Sequence, residues 1–346
     1  MQQYSSGFNG APAPYQQPYY VPPQTPQQAE KARLRRDGNF AGGILLTVTV
    51  SLNVLPLLII RLLLAFGVLS RQQIGMENYG LGNTGYVLLY GALYAASMAL
   101  PVVVLAVCCG RRHFPLSPAA RVNAGDAFFG VLAAMGICVL ANFVASYILA
   151  YLSQFGIEAP ASPELLVHTP ESLLYNILVI AVLPALLEEM VFRGYLLRAL
   201  RPYGDWFAVG FSALCFGLMH ANIAQIPFAV IVGVALGWLY VMTDNIWLPV
   251  AVHFCNNAMS VLLDYLSTGM SQQVTSLYYL LVMLAVLLIG AVCMGILLVR
   301  RSALFRRLPS RSCLPGGARF GITLTAPVML LSVIVLVVET IWKTVR

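Results

Sequence analysis

Three polar islands interrupt otherwise apolar sequence. The first, Pro184-Ala185-Leu186-Leu187-Glu188-Glu189-Met190-Val191-Phe192-Arg193-Gly194, sets two adjacent carboxylates and a guanidinium in a hydrophobic run. On a helix Glu189 and Arg193 are four residues apart and share a face, so they can pair; Glu188 is rotated by about 100° and faces elsewhere. One carboxylate is held and one is available. The second island, Phe216-Gly217-Leu218-Met219-His220-Ala221-Asn222, carries His220, and the third, His253-Phe254-Cys255-Asn256-Asn257, puts His253 and Asn257 on one helical face. Charged groups are expensive at membrane depth and mark sites, pathways or internal ion pairs. A glutamate with two histidines suits activation of water. In a direct version Glu188 takes the proton, His220 orients or shares it, and His253 with Asn257 stabilises the oxyanion. In a second version a divalent metal such as zinc contacts Glu188, His220 and His253, and Asn257 polarises the carbonyl. The sequence leaves both open. A lone membrane histidine is more often a bonded core residue than a catalyst, so either version requires these side chains to meet.

Composition fixes what must bring them together. Of 346 residues 59% are hydrophobic and 10% charged, the net charge is +7, and the mean hydropathy is +0.80. A soluble domain, an RNA-coating protein and a disordered regulator are all poor fits. A membrane-crossing helix needs roughly 20 mostly apolar residues. Nine stretches qualify, at about 41–66, 84–109, 127–152, 173–200, 206–222, 226–242, 246–264, 277–299 and 322–342. The fold class expected is therefore all-α, a polytopic membrane bundle of about 8–9 transmembrane helices. If the fourth stretch runs to Leu200, Glu188 lies about 18 Å above its end. His220 and His253 lie about 22 and 14 Å above the starts of theirs by the same helical rise. Three helices thus deliver the three side chains to overlapping depths.

Charge placement orients the bundle. Lys31, Arg33, Arg35 and Arg36 precede the first span, Arg111, Arg112 and Arg121 follow the second, and Arg198 and Arg201 close the fourth. Arg300, Arg301, Arg306, Arg307, Arg311 and Arg319 join the last two, whereas Glu158, Glu164 and Glu171 follow the third with no basic residue among them. All four clusters fall on one side if the N-terminus is cytoplasmic, as the positive-inside rule requires; Lys343 and Arg346 are exceptions. A multi-pass plasma-membrane protein is expected, with topology and anionic lipid explaining the basic residues better than nucleic acid does. Arg61, alone in the first span, reads as snorkelling or paired.

No cleavable signal peptide is evident, since about forty polar residues precede the first apolar run. The organisation expected is a disordered Gln/Pro-rich tail with a basic juxtamembrane segment over 1–40, membrane helices over 41–170, a catalytic core over 171–265 and further helices over 266–346. The tail reads chiefly as a spacer, with a docking partner as the alternative. The seven cysteines show no CxxC pair and read as small buried hydrophobes. No HExxH, GxSxG, Walker or dinucleotide fingerprint occurs, so no nucleotide cofactor is expected, and Gly233 with Gly237 reads as close helix packing.

In order and spacing the islands resemble the three motifs of the CPBP family of intramembrane proteases, which includes type II CAAX prenyl proteases and bacterial Abi or bacteriocin-immunity proteins. Two glutamates, three spacers and arginine match Glu188, Glu189 and Arg193; phenylalanine, three spacers and histidine match Phe216 and His220; histidine, three spacers and asparagine match His253 and Asn257. The resemblance covers about residues 170–265. It implies a helical membrane fold around a conical cavity open to the cytosol, and cleavage of a membrane-associated peptide, prenylated or bacteriocin-like. Alternatives from other classes are a non-catalytic adaptor or immunity protein that binds a peptide in the same cavity, and a secondary transporter.

Overall fold

The computed structural model describes residues 25–74, 76–109, 120–157, 169–300 and 312–345. The expected tail, apart from its last residues, and Arg111, Arg112, Glu158, Glu164, Arg301, Arg306, Arg307, Arg311 and Arg346 lie outside them. Among the described residues the chain is helical and contains no strand. The long elements are α1 (Pro26–Ala65), α2 (Asn83–Cys109), α3 (Ala124–Ser153), the continuous run α4 (Pro170–Tyr203) and α5 (Asp205–Leu218). They continue with α6 (Gln225–Thr243), α7 (Trp247–Leu266), α8 (Gln272–Arg300), α9 (Gly316–Leu324) and α10 (Pro327–Val345). Seven are long and apolar enough to cross a membrane: α1, α2, α3, α4, α6, α8 and α10. This is a polytopic membrane bundle, as expected.

Three boundaries differ from the sequence reading. First, α1 reaches back through the basic segment to Pro26. Thr25 and Gln28 form a reciprocal capping box there, and Pro26, whose missing N–H costs nothing at a first helical position, leads the helix. Second, the expected final span is broken between Leu324 and Pro327 into α9 and α10. Third, α5 stops at Leu218, so it rises about 21 Å, short of the bilayer core. His220 therefore sits on the turn after the helix rather than within it, next to Ala221 at a φ of +44°. Also outside the seven is α7, whose middle carries His253, Asn256 and Asn257. Of the three elements outside the seven, α5, α7 and α9, the first two deliver the histidines.

Small residues bring the helices together. A Cβ on Gly42 would lie 2.3 Å from Met329 N, so the backbones of α1 and α10 touch there. Gly136 and Gly290 do the same for α3 and α8, where an added Cβ would come within 2.9 and 2.5 Å of the opposing Cα. As expected, Gly233 and Gly237 are close-packing positions: Gly233 abuts Ala213 of α5, and Gly237 faces Val209 and Leu197.

One end of the bundle is tied by polar contacts. Tyr203 donates to Asp37 at 2.6 Å, Arg201 pairs with Asp205 at 2.8 Å and also with Asp244, and Asn245 donates to the Ala120 carbonyl at 3.0 Å. The starts of α1, α3, α5 and α7 and the ends of α4 and α6 therefore gather at that end. Beside α1, α10 runs parallel, with Ser332 donating to Gly42 O at 2.8 Å and Asn53 to Glu339 at 3.2 Å. The other neighbour, α2, runs antiparallel, with Ser51 bonded to Ser97 O at 2.5 Å and Phe40 and Thr47 beside Cys108 and Val104.

Candidate functional site

Side-chain geometry is set by an irregular α4. Its middle, Leu183–Glu189, is flanked by wider π-type turns over Ile177–Val182 and Met190–Leu197. Pro184 has no N–H to offer the Ile180 carbonyl one turn back, and Asn257 Nδ2 supplies the missing donor at 2.9 Å. Asn256 Nδ2 donates in turn to Asn257 Oδ1 at 3.1 Å. Ser212 of α5 similarly donates to Phe192 O at 3.0 Å within the second wide segment.

Glu189 is fully buried and accepts from Arg193 Nη1 at 2.9 Å, the i,i+4 pair expected from spacing. Arg193, also fully buried, donates through Nη2 to Gly233 O at 3.2 Å and stacks 4.4 Å from the Phe216 ring centroid. His253 Nδ1 lies 2.9 Å from the same Glu189 oxygen, which can only accept, so Nδ1 carries the proton. Phe216 also sets edge-to-face with His220 and His253, at 5.3 and 6.0 Å between centroids. His220 Nδ1 is 2.9 Å from Phe216 O, another acceptor, so its proton is on Nδ1 and neutral His220 keeps Nε2 as an acceptor.

Glu188 turns away from this pair into a cavity of about 710 Å³, within the usual range for ligand sites. Tyr94 Oη donates to Glu188 Oε1 at 2.6 Å, and His253 Nε2 stands 3.9 Å from Glu188 Oε2. Glu188, Phe216, His220, His253 and Asn257 all line this one cavity, while Glu189 and Arg193 lie beneath it. Sequence reasoning missed Tyr94. Tyr86, Tyr90 and Tyr94 recur every four residues, one stripe of α2, and all three face the cavity. That stripe is the signal that could have found it.

The cavity has a closed floor and an open rim. Phe192, Arg193, Leu196, Leu197 and Leu200, following Glu188 along α4 towards the tied end, are all fully buried. Tyr90, Gln225, Ser260 and Lys343 at the rim are exposed. The mouth is thus at the end opposite the start of α1. A cytoplasmic N-terminus and a cytosolic mouth, both expected above, do not fit one molecule.

Among the described residues no three His, Cys, Asp or Glu side chains are grouped closely enough to hold a metal ion. Glu188 Oε2 and His253 Nε2, 3.9 Å apart, are within the span that two ligands of one ion can have, but among the described residues no third such side chain joins them closely enough.

Residues 170–259 match the family model described as type II CAAX prenyl endopeptidase Rce1-like. Over 168 residues, 48% of this chain and 68% of the relative, the sequence is 24% identical to the Bacillus subtilis (strain 168) protein described as "Putative membrane peptidase YdiL". No solved structure matches. The matched family segment contains all three motifs, and the two matches support a membrane protease of the CPBP family.

Proposed function

We propose that the chain is an intramembrane endopeptidase whose Glu188 activates water against peptide bonds of membrane-associated peptides. The observation that carries this reading is the 3.9 Å separation of Glu188 Oε2 and His253 Nε2 at the floor of the cavity. It is too long for a direct hydrogen bond and suits one bridging water. With His253 Nδ1–H given to Glu189, neutral His253 offers Nε2 as an acceptor. A water between two acceptors donates a hydrogen to each and points its lone pairs at the substrate.

Glu188 takes one proton as the water oxygen bonds to the peptide carbonyl carbon, and the carbonyl electron pair moves onto oxygen. Asn257, with one amide hydrogen committed to Ile180 O, has its second for that oxyanion. Collapse returns the pair, breaks the C–N bond and draws the proton from Glu188 to the leaving nitrogen, giving a carboxyl and an amine. Tyr94 holds the Glu188 carboxylate in orientation, and His220 Nε2 accepts from the substrate backbone. Here His253 moves from the oxyanion role expected from sequence to orienting water. Residues 171–265 act as the catalytic core, with flanking helices and the tail selecting substrate or partner, in a plasma membrane with the N-terminus cytoplasmic.

The test is cleavage by purified, folded protein. Glu188→Gln is expected to lower turnover by roughly 10²–10⁴, the usual loss of a general base, and His220→Ala to lower it too. Full turnover in both variants would contradict water activation by Glu188, and no cleavage by the unaltered protein would leave a peptide-binding protein without catalysis. Metal analysis of active protein, with chelation and zinc add-back, decides between direct and metal-assisted activation: activity that falls and returns with zinc assigns Glu188, His220 and His253 to a metal.

A further inference from the structure

We propose that the cavity opens on the extracytoplasmic side, so that the substrate is a peptide segment presented from outside the membrane and not a cytosolic lipidated C-terminus. This rests on the protease reading for what the cavity does, but its direction is argued from geometry and charge alone.

Four helices fix the direction of the cavity independently. Starting from the tied end, α1 reaches Ser51, the level of Ser97, after about 21 Å. Running the other way, α2 places Tyr94 just beyond that level, and Tyr90 and Tyr86 a further turn and two turns out. On α7, which climbs from the tied end, Asn257 and Ser260 follow His253 outwards. On α10, parallel to α1, Lys343 lies one turn past Glu339, itself bonded to Asn53. From α4, Val179, Ile180 and Pro184 line the cavity while the residues after Glu188 are sealed in the core. Every lining residue beyond the Glu188 level therefore lies away from the tied end.

The same tied end carries Lys31, Arg33, Arg35, Arg36, Arg121, Arg198, Arg201, Arg300 and Arg319 on the helix termini gathered there. Arg111, Arg112, Arg301, Arg306, Arg307 and Arg311 fall in sequence between helices that end or begin there. The opposite end has Arg61, Arg71 and Lys343, the last neutralised by Glu339 at 2.6 Å, and Arg346 follows in sequence the helix that ends there. Positive charge in short connections sets orientation, and here it places the sealed floor in the cytoplasm. The mouth then faces outwards. A membrane-anchored precursor whose scissile segment lies in or above the outer leaflet can reach Glu188, whereas a chain anchored at the cytosolic leaflet meets the floor of buried Phe192, Leu196 and Leu200.

The test is thiol accessibility in cells carrying the full chain in their plasma membrane. Exposed native Cys108 and Cys313 report the tied end. Ser260→Cys reports the cavity rim and Gln272→Cys the opposite end, each in a chain with Cys108, Cys109 and Cys313 replaced by serine. A membrane-impermeant maleimide added outside is expected to label Ser260→Cys and Gln272→Cys at once, and the native cysteines only after permeabilisation. Native cysteines labelled from outside, with Ser260→Cys labelled only after permeabilisation, would overturn the proposal. Labelling of Gln272→Cys without Ser260→Cys would overturn the outward opening of the cavity. Because labelling needs no turnover, a catalytically dead protein with an outward cavity would refute the protease reading and leave the orientation standing.

Discussion

At the scale of single residues, the adjacent glutamates divide the work between fold and cavity. Glu189, Arg193 and His253 form a buried chain of hydrogen bonds, and removing one partner strands a charge without solvent. Arg193→Ala is expected to cost about 3–5 kcal/mol, read as loss of folded protein or a lower midpoint in thermal unfolding. An unchanged midpoint would mean that the pair is not needed for folding. Tyr94→Phe removes one hydrogen bond to Glu188 and fits the same space. A hydrogen bond to a charged group contributes about 1.5–3 kcal/mol; turnover is expected to fall by roughly ten- to a hundredfold at an unchanged unfolding midpoint. Equal turnover would remove Tyr94 as a positioning residue. The islands were legible because two carboxylates, an arginine and two histidines have no reason to be in apolar sequence. Tyr94 was not, because a tyrosine in a membrane helix is ordinary and its partner is 94 residues away. Nor was the commitment of Asn257 to the Ile180 carbonyl, which depends on a proline in another helix.

At the scale of elements, the helices nearest the chemistry are the least regular. Pro184 and two wide segments interrupt α4, α5 ends below His220, and polar residues interrupt α7. Hydropathy located nearly all the spans, because bilayer thickness dictates their length. It misplaced the end of α5, because Met219 and Ala221 continue the apolar run past the last helical turn and composition does not register a backbone reversal. Regular surroundings hold the irregular core, and one of their close approaches is the glycine crossing of α3 and α8. Gly290→Ala would press a methyl group into the Gly136 backbone, where no side chain can yield. Destabilisation of about 1–3 kcal/mol is expected, measurable as a lower thermal midpoint in detergent. A midpoint equal to that of the unaltered chain would show that the crossing can slide.

At the scale of the whole molecule, the tied basic end and the polar cavity occupy opposite halves of one bundle, with a closed apolar floor between them. The charge clusters, the family resemblance and the approximate depth of the site could each be read from sequence. Their mutual orientation could not, since it depends on whether each polar residue lies above or below Glu188 after packing. The most direct measurement is comparative terminal proteomics of membranes from cells carrying the unaltered chain and cells carrying Glu188→Gln at equal abundance. New peptide termini present with the unaltered chain and absent with the variant are expected, on segments of membrane-associated proteins. Identical sets of termini in the two membranes would contradict a protease built on Glu188.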